Sequence, residues 1–322
     1  MNKKKYVNRN YLTTTRIIAL GFLITVIVGT ILLSLPIASA NGTWTDLLTA
    51  AFTSTTSVCV TGLVVVDTFS YWSLFGKGVI LILIQIGGLG IVSIITLFML
   101  LLRMKITLKS TMLLQDAFNL NSKQGLLKFT IKVIKGTFLI EGIGALIYSF
   151  YYCREYGFLK GIWFSVFHAV SAFCNAGIDI MGADSLISYH SNLLMMLNTS
   201  FLIIMGGIGF IVWWDTVEAF RRIRTKRCSI RSAWNGVHLQ TKIAIFMTLL
   251  LLIGGTIVIY FLERSNPDTL GNLSEKDRIL NAFFQSVTFR TAGFAAVSQV
   301  ALRPVTAFFG VLLMMIGGSP VG

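Results

Sequence analysis

The chain has 322 residues, 55% of them hydrophobic and only 12% charged, with a net charge of +14. A soluble domain needs roughly a quarter of its residues charged to cover its surface, so a soluble globular fold is excluded and the chain belongs in a bilayer. The basic excess is not a nucleic-acid footprint, because Lys and Arg gather in segments that alternate with apolar runs.

In chain order, residues 1 to 16 carry Lys3, Lys4, Lys5, Arg9 and Arg16 and lead into an apolar run at 17 to 38. Ala38-Ser39-Ala40 resembles a signal cleavage site, but a secretory core has about 7–15 apolar residues. The longer run here reads as a retained first spanning helix. Further runs at 79–102, 138–152, 193–214, 243–261 and from 305 onward give about six spanning helices, since about 20 residues cross roughly 30 Å of hydrocarbon. Residues 103–135 and 221–242 hold seven basic side chains each, so with the N-terminal segment 19 of the 27 lie in three places. The positive-inside rule puts these three segments, and the N-terminus, in the cytoplasm. Segments 43–78, 153–192 and 262–304 hold nine of the thirteen acids and face outside.

Three outside segments align without gaps at 51–62, 166–177 and 282–293, and their final glycines lie 115 and 116 residues apart. After 25, 29 and 24 more residues comes a glycine pair inside an apolar run: Gly87-Gly88, Gly206-Gly207 and Gly317-Gly318. The repeat is an outer helix, a segment too short to cross the membrane, and an inner helix, so the short segment must dip in and return. Irregular backbone at membrane depth is tolerated only where protein buries it or water fills the cavity that it lines. Loops of this kind around one axis make a pore. Their ends are Val60-Thr61-Gly62, Asn175-Ala176-Gly177 and Thr291-Ala292-Gly293, small residues and glycine that can turn carbonyls inward to replace an ion's water. Pore helices expected at 45–57, 161–172 and 277–288 would aim their negative C-terminal dipoles at that ion, which favours a cation.

These residues resemble the Trk/Ktr/HKT superfamily of potassium transporters. The matches are Val60-Thr61-Gly62-Leu63, Cys174-Asn175-Ala176-Gly177, Arg290-Thr291-Ala292-Gly293-Phe294 and Ile316-Gly317-Gly318-Ser319-Pro320. The short N-terminus is most similar to the bacterial Ktr membrane subunit. The resemblance implies an all-α polytopic membrane protein of tandem helix, pore-loop, helix repeats around a central ion path, in the cell membrane. It also implies K+ as the transported ion and no cofactor, with filter glycines at Gly62, Gly177 and Gly293. Glycine rather than serine at the first filter points to potassium over sodium. A gate is implied at Gly317, Gly318, Ser319 and Pro320. The implied partners are a second pore subunit in a homodimer and a cytosolic nucleotide-binding regulatory ring, for which the basic run at 221–231 is a candidate dock.

The units are expected at 17–103, 129–222 and 240–322, with a cytoplasmic N-terminus at 1–16 and cytoplasmic linkers at 104–128 and 223–239. The family pattern has a fourth repeat, whose glycine would fall about 115 residues beyond Gly293, so the chain reads as lacking it. A truncated, non-conducting fragment and a sodium/potassium secondary transporter stay open as alternatives. Arg290 must point away from a cation path, and His168 and Asn175 are expected to support the filter by hydrogen bonds. Glu141, within an apolar run, is weighed between an ion-path role and a bond to a neighbouring helix or loop. The glycine pairs at 87–88 and 206–207 are read as sites of close helix packing, and that at 317–318 as a break. No metal spacing joins Cys59, Cys153, Cys174 and Cys228, and His168, His190 and His238 form no triad, so the chain is not read as an enzyme.

Overall fold

The computed structural model describes residues 14–90, 93–94, 126–182, 185–226 and 229–318. Every element of two residues or more among them is helical. The first unit is α1 (Thr14–Ser34), α2 (Leu47–Cys59), the one-turn α3 (Thr68–Tyr71) and α4 (Leu74–Leu89). The second is α5 (Leu126–Tyr156), α6 (Phe158–Phe173), α7 (Leu193–Gly207) and α8 (Phe210–Lys226). After a short α9 (Ile230–Asn235) the third is α10 (Leu239–Glu263), α11 (Glu275–Thr288) and α12 (Pro304–Ile316).

Helix length separates the roles. The spans within α1, α5 and α10 run 19, 29 and 25 residues and are apolar enough to cross a membrane. The 13 residues of α2 and the 16 of α6 reach only about 20–24 Å, short of a crossing. Local chemistry sets where these short helices begin. Asp46 caps α2 by accepting from Leu48 N and Thr49 N, Ser274 caps α11, and Gly157 opens α6 with no side-chain cap. All three pore helices therefore start and stop within three residues of where the repeat placed them.

The inner helices differ from the sequence expectation. The run at 193–214 is not one continuous helix: α7 ends at Gly207 and α8 leaves at 100°, with Gly209 at φ 100. In the first unit α4 ends at Leu89, capped by Gly90 at φ 77. In the third, α12 ends at Ile316, with Gly317 at φ 59, where a break was expected. The glycine pairs also pack as expected: a Cβ on Gly87 would lie 2.2 Å from Val58 O, and one on Gly206 1.7 Å from Phe173 O. One feature thus serves both purposes, since the small residue that admits a pore helix also weakens the helical ladder beside it. The first apolar run likewise stops early, because Pro36 begins a 3-10 turn after α1. Most of the 104–128 linker lies outside the described residues, while α8 and α9 occupy much of the second linker.

The first and third pore helices are held by serine hydroxyls. Ser54 Oγ donates to Val26 O at 2.8 Å and Ser286 Oγ to Leu252 O at 3.1 Å. Each hydroxyl fits against a glycine three residues further along the outer helix, Gly29 or Gly255.

Candidate ion path

Each pore helix delivers its chain end into a loop with the same backbone signature. Val60, Asn175 and Thr291 have φ of 55, 57 and 69, and Gly62, Gly177 and Gly293 follow two residues later at 76, 64 and 84. A left-handed residue at each end of a three-residue turn brings successive carbonyls toward one side, where an ordinary strand would alternate them. Glycine adopts this freely, but β-branched Val60 and Thr291 do not, so the surrounding contacts must impose it.

Those contacts are a repeated hydroxyl tie. The residue after each loop glycine is Leu63, Ile178 or Phe294. Leu63 N donates to Thr56 Oγ1 at 3.0 Å, which also bonds Thr61 Oγ1 at 2.6 Å. Ser171 Oγ donates to Ile178 O at 2.5 Å, and Thr288 Oγ1 to Phe294 O at 2.7 Å. Sequence reasoning missed this device, although its signal, a hydroxyl in the last turn of each pore helix, is present in all three segments.

The loops converge. A Cβ on Gly62 would lie 2.6 Å from Ala176 O, and one on Gly177 2.5 Å from Gly293 Cα and 2.6 Å from Ala292 O. Gly62, Gly177 and Gly293 line one cavity of about 380 Å3, together with Asp67 and Asp179. Val60, Asn175 and Thr291 line a second, of about 220 Å3, with the inner-helix glycines Gly87, Gly88 and Gly206. The loops therefore stand between an acidic vestibule and a small inner chamber. Burial pushes the Asp67 carboxyl up, but the Ser70 hydroxyl and the Ser70 and Phe69 amides that donate to it, with Lys77 nearby, hold it below the usual carboxylate value. The sequence had assigned these acids only to the outer side.

The side chains singled out for support fall as follows. Arg290, 8% exposed, donates to Thr248 Oγ1 at 3.3 Å and to Gly317 O at 3.4 Å, away from the inner chamber. His168 is fully buried, with Nδ1 3.2 Å from Phe164 O, and its ring packs 5.4 Å from Tyr152 and 6.1 Å from Phe294. It touches the third loop through packing; no bond to a filter carbonyl is formed among the described residues. With its amide nitrogen turned toward them, Asn175 donates to Ala172 O at 3.3 Å and Ile203 O at 3.2 Å, behind the loop. Glu141 accepts from Gln85 Nε2 at 3.1 and 3.3 Å, joining α5 to α4 with Cys174 Sγ 4.0 Å away. Of the expected gate, Gly317 and Gly318 are described, and a Cβ on Gly318 would lie 3.2 Å from Gly207. Ser319 and Pro320 lie outside the described residues.

One buried acid escaped the sequence altogether. Glu263, wholly buried at the end of α10, accepts from Asn266 Nδ2 (2.7 Å), Thr269 Oγ1 (2.6 Å), Arg303 N (2.9 Å) and Thr306 Oγ1 (2.5 Å). It ties the outer helix to the start of the inner one.

Comparison with known proteins agrees with this architecture. The chain is 40% identical over 311 residues to the potassium/sodium uptake protein NtpJ of Enterococcus hirae, covering 97% of this chain and 66% of that one. It is 38% identical over 320 residues to the Ktr system potassium uptake protein B of Bacillus subtilis, covering 99% and 68%. The chain thus spans about two thirds of the length of these relatives. The crystal structure of the potassium transporter TrkH from Vibrio parahaemolyticus superposes with a TM-score of 0.64 at 15% identity, over 100% of this chain and 60% of that one, which shows the same helical fold. The TrkH profile, described as cation transport protein, matches residues 3–322, and the chain belongs to that family of membrane transporters.

Proposed function

We propose that this chain lines a potassium uptake pore, in which backbone carbonyls of Val60 to Gly62, Asn175 to Gly177 and Thr291 to Gly293 replace the water of a dehydrated K+. The observation that carries the reading is the meeting of three equivalent left-handed turns, from segments about 115 residues apart, between an acidic vestibule and an inner chamber. Carbonyl dipoles at close quarters provide the field that a stripped cation needs. The relatives named for potassium uptake support the choice of ion, and Gly62 in the first loop favours potassium over sodium. Gly317 to Pro320 act as the gate below the filter, at the break in the third inner helix. Arg290 and His168 support the loops from behind. The N-terminus and the basic run at 221–231 lie in the cytoplasm, where a nucleotide-binding ring docks on a homodimer of pore subunits.

The test is Gly62→Ser in the transporter, expressed in cells lacking potassium uptake. Uptake of Rb+ should fall relative to Na+, giving a discrimination ratio at least about tenfold lower, because a Cβ here lies against Ala176 O and alters the field by on the order of 1.4 kcal/mol. An unchanged ratio removes the filter assignment. A secondary transport reading has one supporting observation, the name of the Enterococcus relative, which includes sodium. Na+ dependence of K+ uptake would favour it.

A further inference from the structure

The break between α7 and α8 is joined to the end of α12. Two residues, Ile208 and Gly209, separate α7 from α8, and Gly209 at φ 100 allows the turn of 100°. On the α7 side, Gly207 backs the gate segment: a Cβ on Gly318 would lie 3.2 Å from both Gly207 Cα and Gly207 O, and Gly318 also lines the inner chamber. On the α8 side the helix is pinned close to the turn, where Trp213 Nε1 donates to Met205 O at 2.9 Å, and again two residues on. There Asp215 Oδ2 accepts from Thr241 Oγ1 at 2.6 Å and from His238 Nδ1 at 2.8 Å, both at the start of α10. Thr241 is fully buried, whereas His238 is largely exposed.

α10 holds the other side of the gate segment as well. Arg290 donates both to Thr248 Oγ1 and to Gly317 O, and Thr248 stands seven residues, about two turns, beyond Thr241 on one face of α10. The contacts close a ring: α10, Asp215, α8, the turn at Gly209, Gly207, the 317–318 backbone, Arg290 and α10 again. We propose that α8 is a lever on the gate segment and that Asp215 is the positioning residue that latches it. Release of Asp215 from α10 lets α8 turn about Gly209 and draws Gly207 away from Gly318. The 17 residues of α8 make an arm of about 25 Å, whose far end carries the exposed Arg221 and Arg224. A partner on the basic run at 221–231 therefore pulls where leverage is greatest. The effect on ion flow rests on the reading of Gly317 to Pro320 as the gate, whereas the mechanical link from Asp215 to Gly318 does not.

Two measurements on Thr241→Val and Asp215→Ala test the lever. Amide hydrogen exchange of the purified transporter in detergent reads the link. Exchange at 316–318 should accelerate about tenfold, the scale of one hydrogen bond to a charged group. The double variant should add little, because both changes remove the same bond. Rb+ uptake at matched membrane expression reads the gate. It should rise several-fold with the Rb+ to Na+ ratio unchanged, an outcome that loss of folded protein cannot produce. Glu218→Ala, which breaks the Arg222 pair within α8 and leaves Asp215 in place, should alter neither. Unchanged exchange at 316–318 in both variants overturns the lever. So does equal acceleration in Glu218→Ala, which would indicate general loosening of α8, or a fall in uptake in Thr241→Val, which would mean that the latch does not hold the path closed. Accelerated exchange with unchanged uptake sustains the lever and removes the gate reading instead.

Discussion

Loops one and two, and loops two and three, meet backbone to backbone, whereas loops three and one face each other across a cavity of about 440 Å3. That cavity is lined by Val60 to Leu63 on one side and by Thr288, Thr291, Gly293 and Phe294 on the other. The two closed seams pack the central loop on both sides, whereas along the third cavity loops one and three make no close backbone contact with each other among the described residues. Loop two is thus held on both flanks, and loops one and three on one flank each.

The largest expected effect follows from that asymmetry. Gly177→Ala puts a methyl 2.5 Å from Gly293 Cα and 2.6 Å from Ala292 O, at a φ of 64 that already disfavours alanine by about 1 kcal/mol. Neither neighbour is a flexible side chain, so the variant should abolish K+ uptake. Gly293→Ala meets one atom inside 3.0 Å, Gly177 Cα at 2.9 Å, and nothing else closer than 3.7 Å. It should retain measurable uptake. Rb+ influx at matched membrane expression checks the order, and equal loss in both would mean that the seams are equivalent.

A second pair separates two buried acids. Glu263 collects four donors from two sequence regions, while Glu141 has the amide of Gln85 and, at 4.0 Å, the Cys174 thiol. Glutamine keeps one carbonyl oxygen and adds an NH2 where Glu263 is surrounded by donors. Glu263→Gln should therefore cost about 3 kcal/mol, and Glu141→Gln about 1 kcal/mol. Thermal unfolding in detergent, followed by tryptophan fluorescence, reads the difference. A larger loss at Glu141 would mean that it does more than join α5 to α4.

These contrasts mark what the sequence could and could not disclose. The three converging loops and the glycine that ends each were legible because one twelve-residue pattern recurs without gaps and glycine recurs at its end. The repeat placed the first and third short helices from 45 and 277, and the caps at Asp46 and Ser274 that fix their starts were not read from it. The breaks after α4 and α7 were not legible either, since a glycine pair signals close packing and helix termination equally. Glu263 sits at the end of its apolar run and its partners are 3 to 43 residues away, so no local pattern marks it. The ring of contacts from Asp215 to Gly318 is made by residues from α7, α8 and α10, and only their packing reveals it.

The smallest effect tests the loop ties against the same asymmetry. Ser171→Ala and Thr288→Val each delete one hydroxyl donated to the carbonyl after a filter glycine and leave that oxygen without the bond, at about 1 kcal/mol each. Global stability should barely distinguish them. Local opening should, because Ile178 follows a glycine clamped on both sides and Phe294 follows one beside the open seam. Amide hydrogen exchange at 292–296 should accelerate several-fold in Thr288→Val, and at 176–180 it should change little in Ser171→Ala, since backbone contacts rather than the hydroxyl limit opening there. Equal acceleration would show that the pore-helix hydroxyls, and not the seams, hold the carbonyls in place.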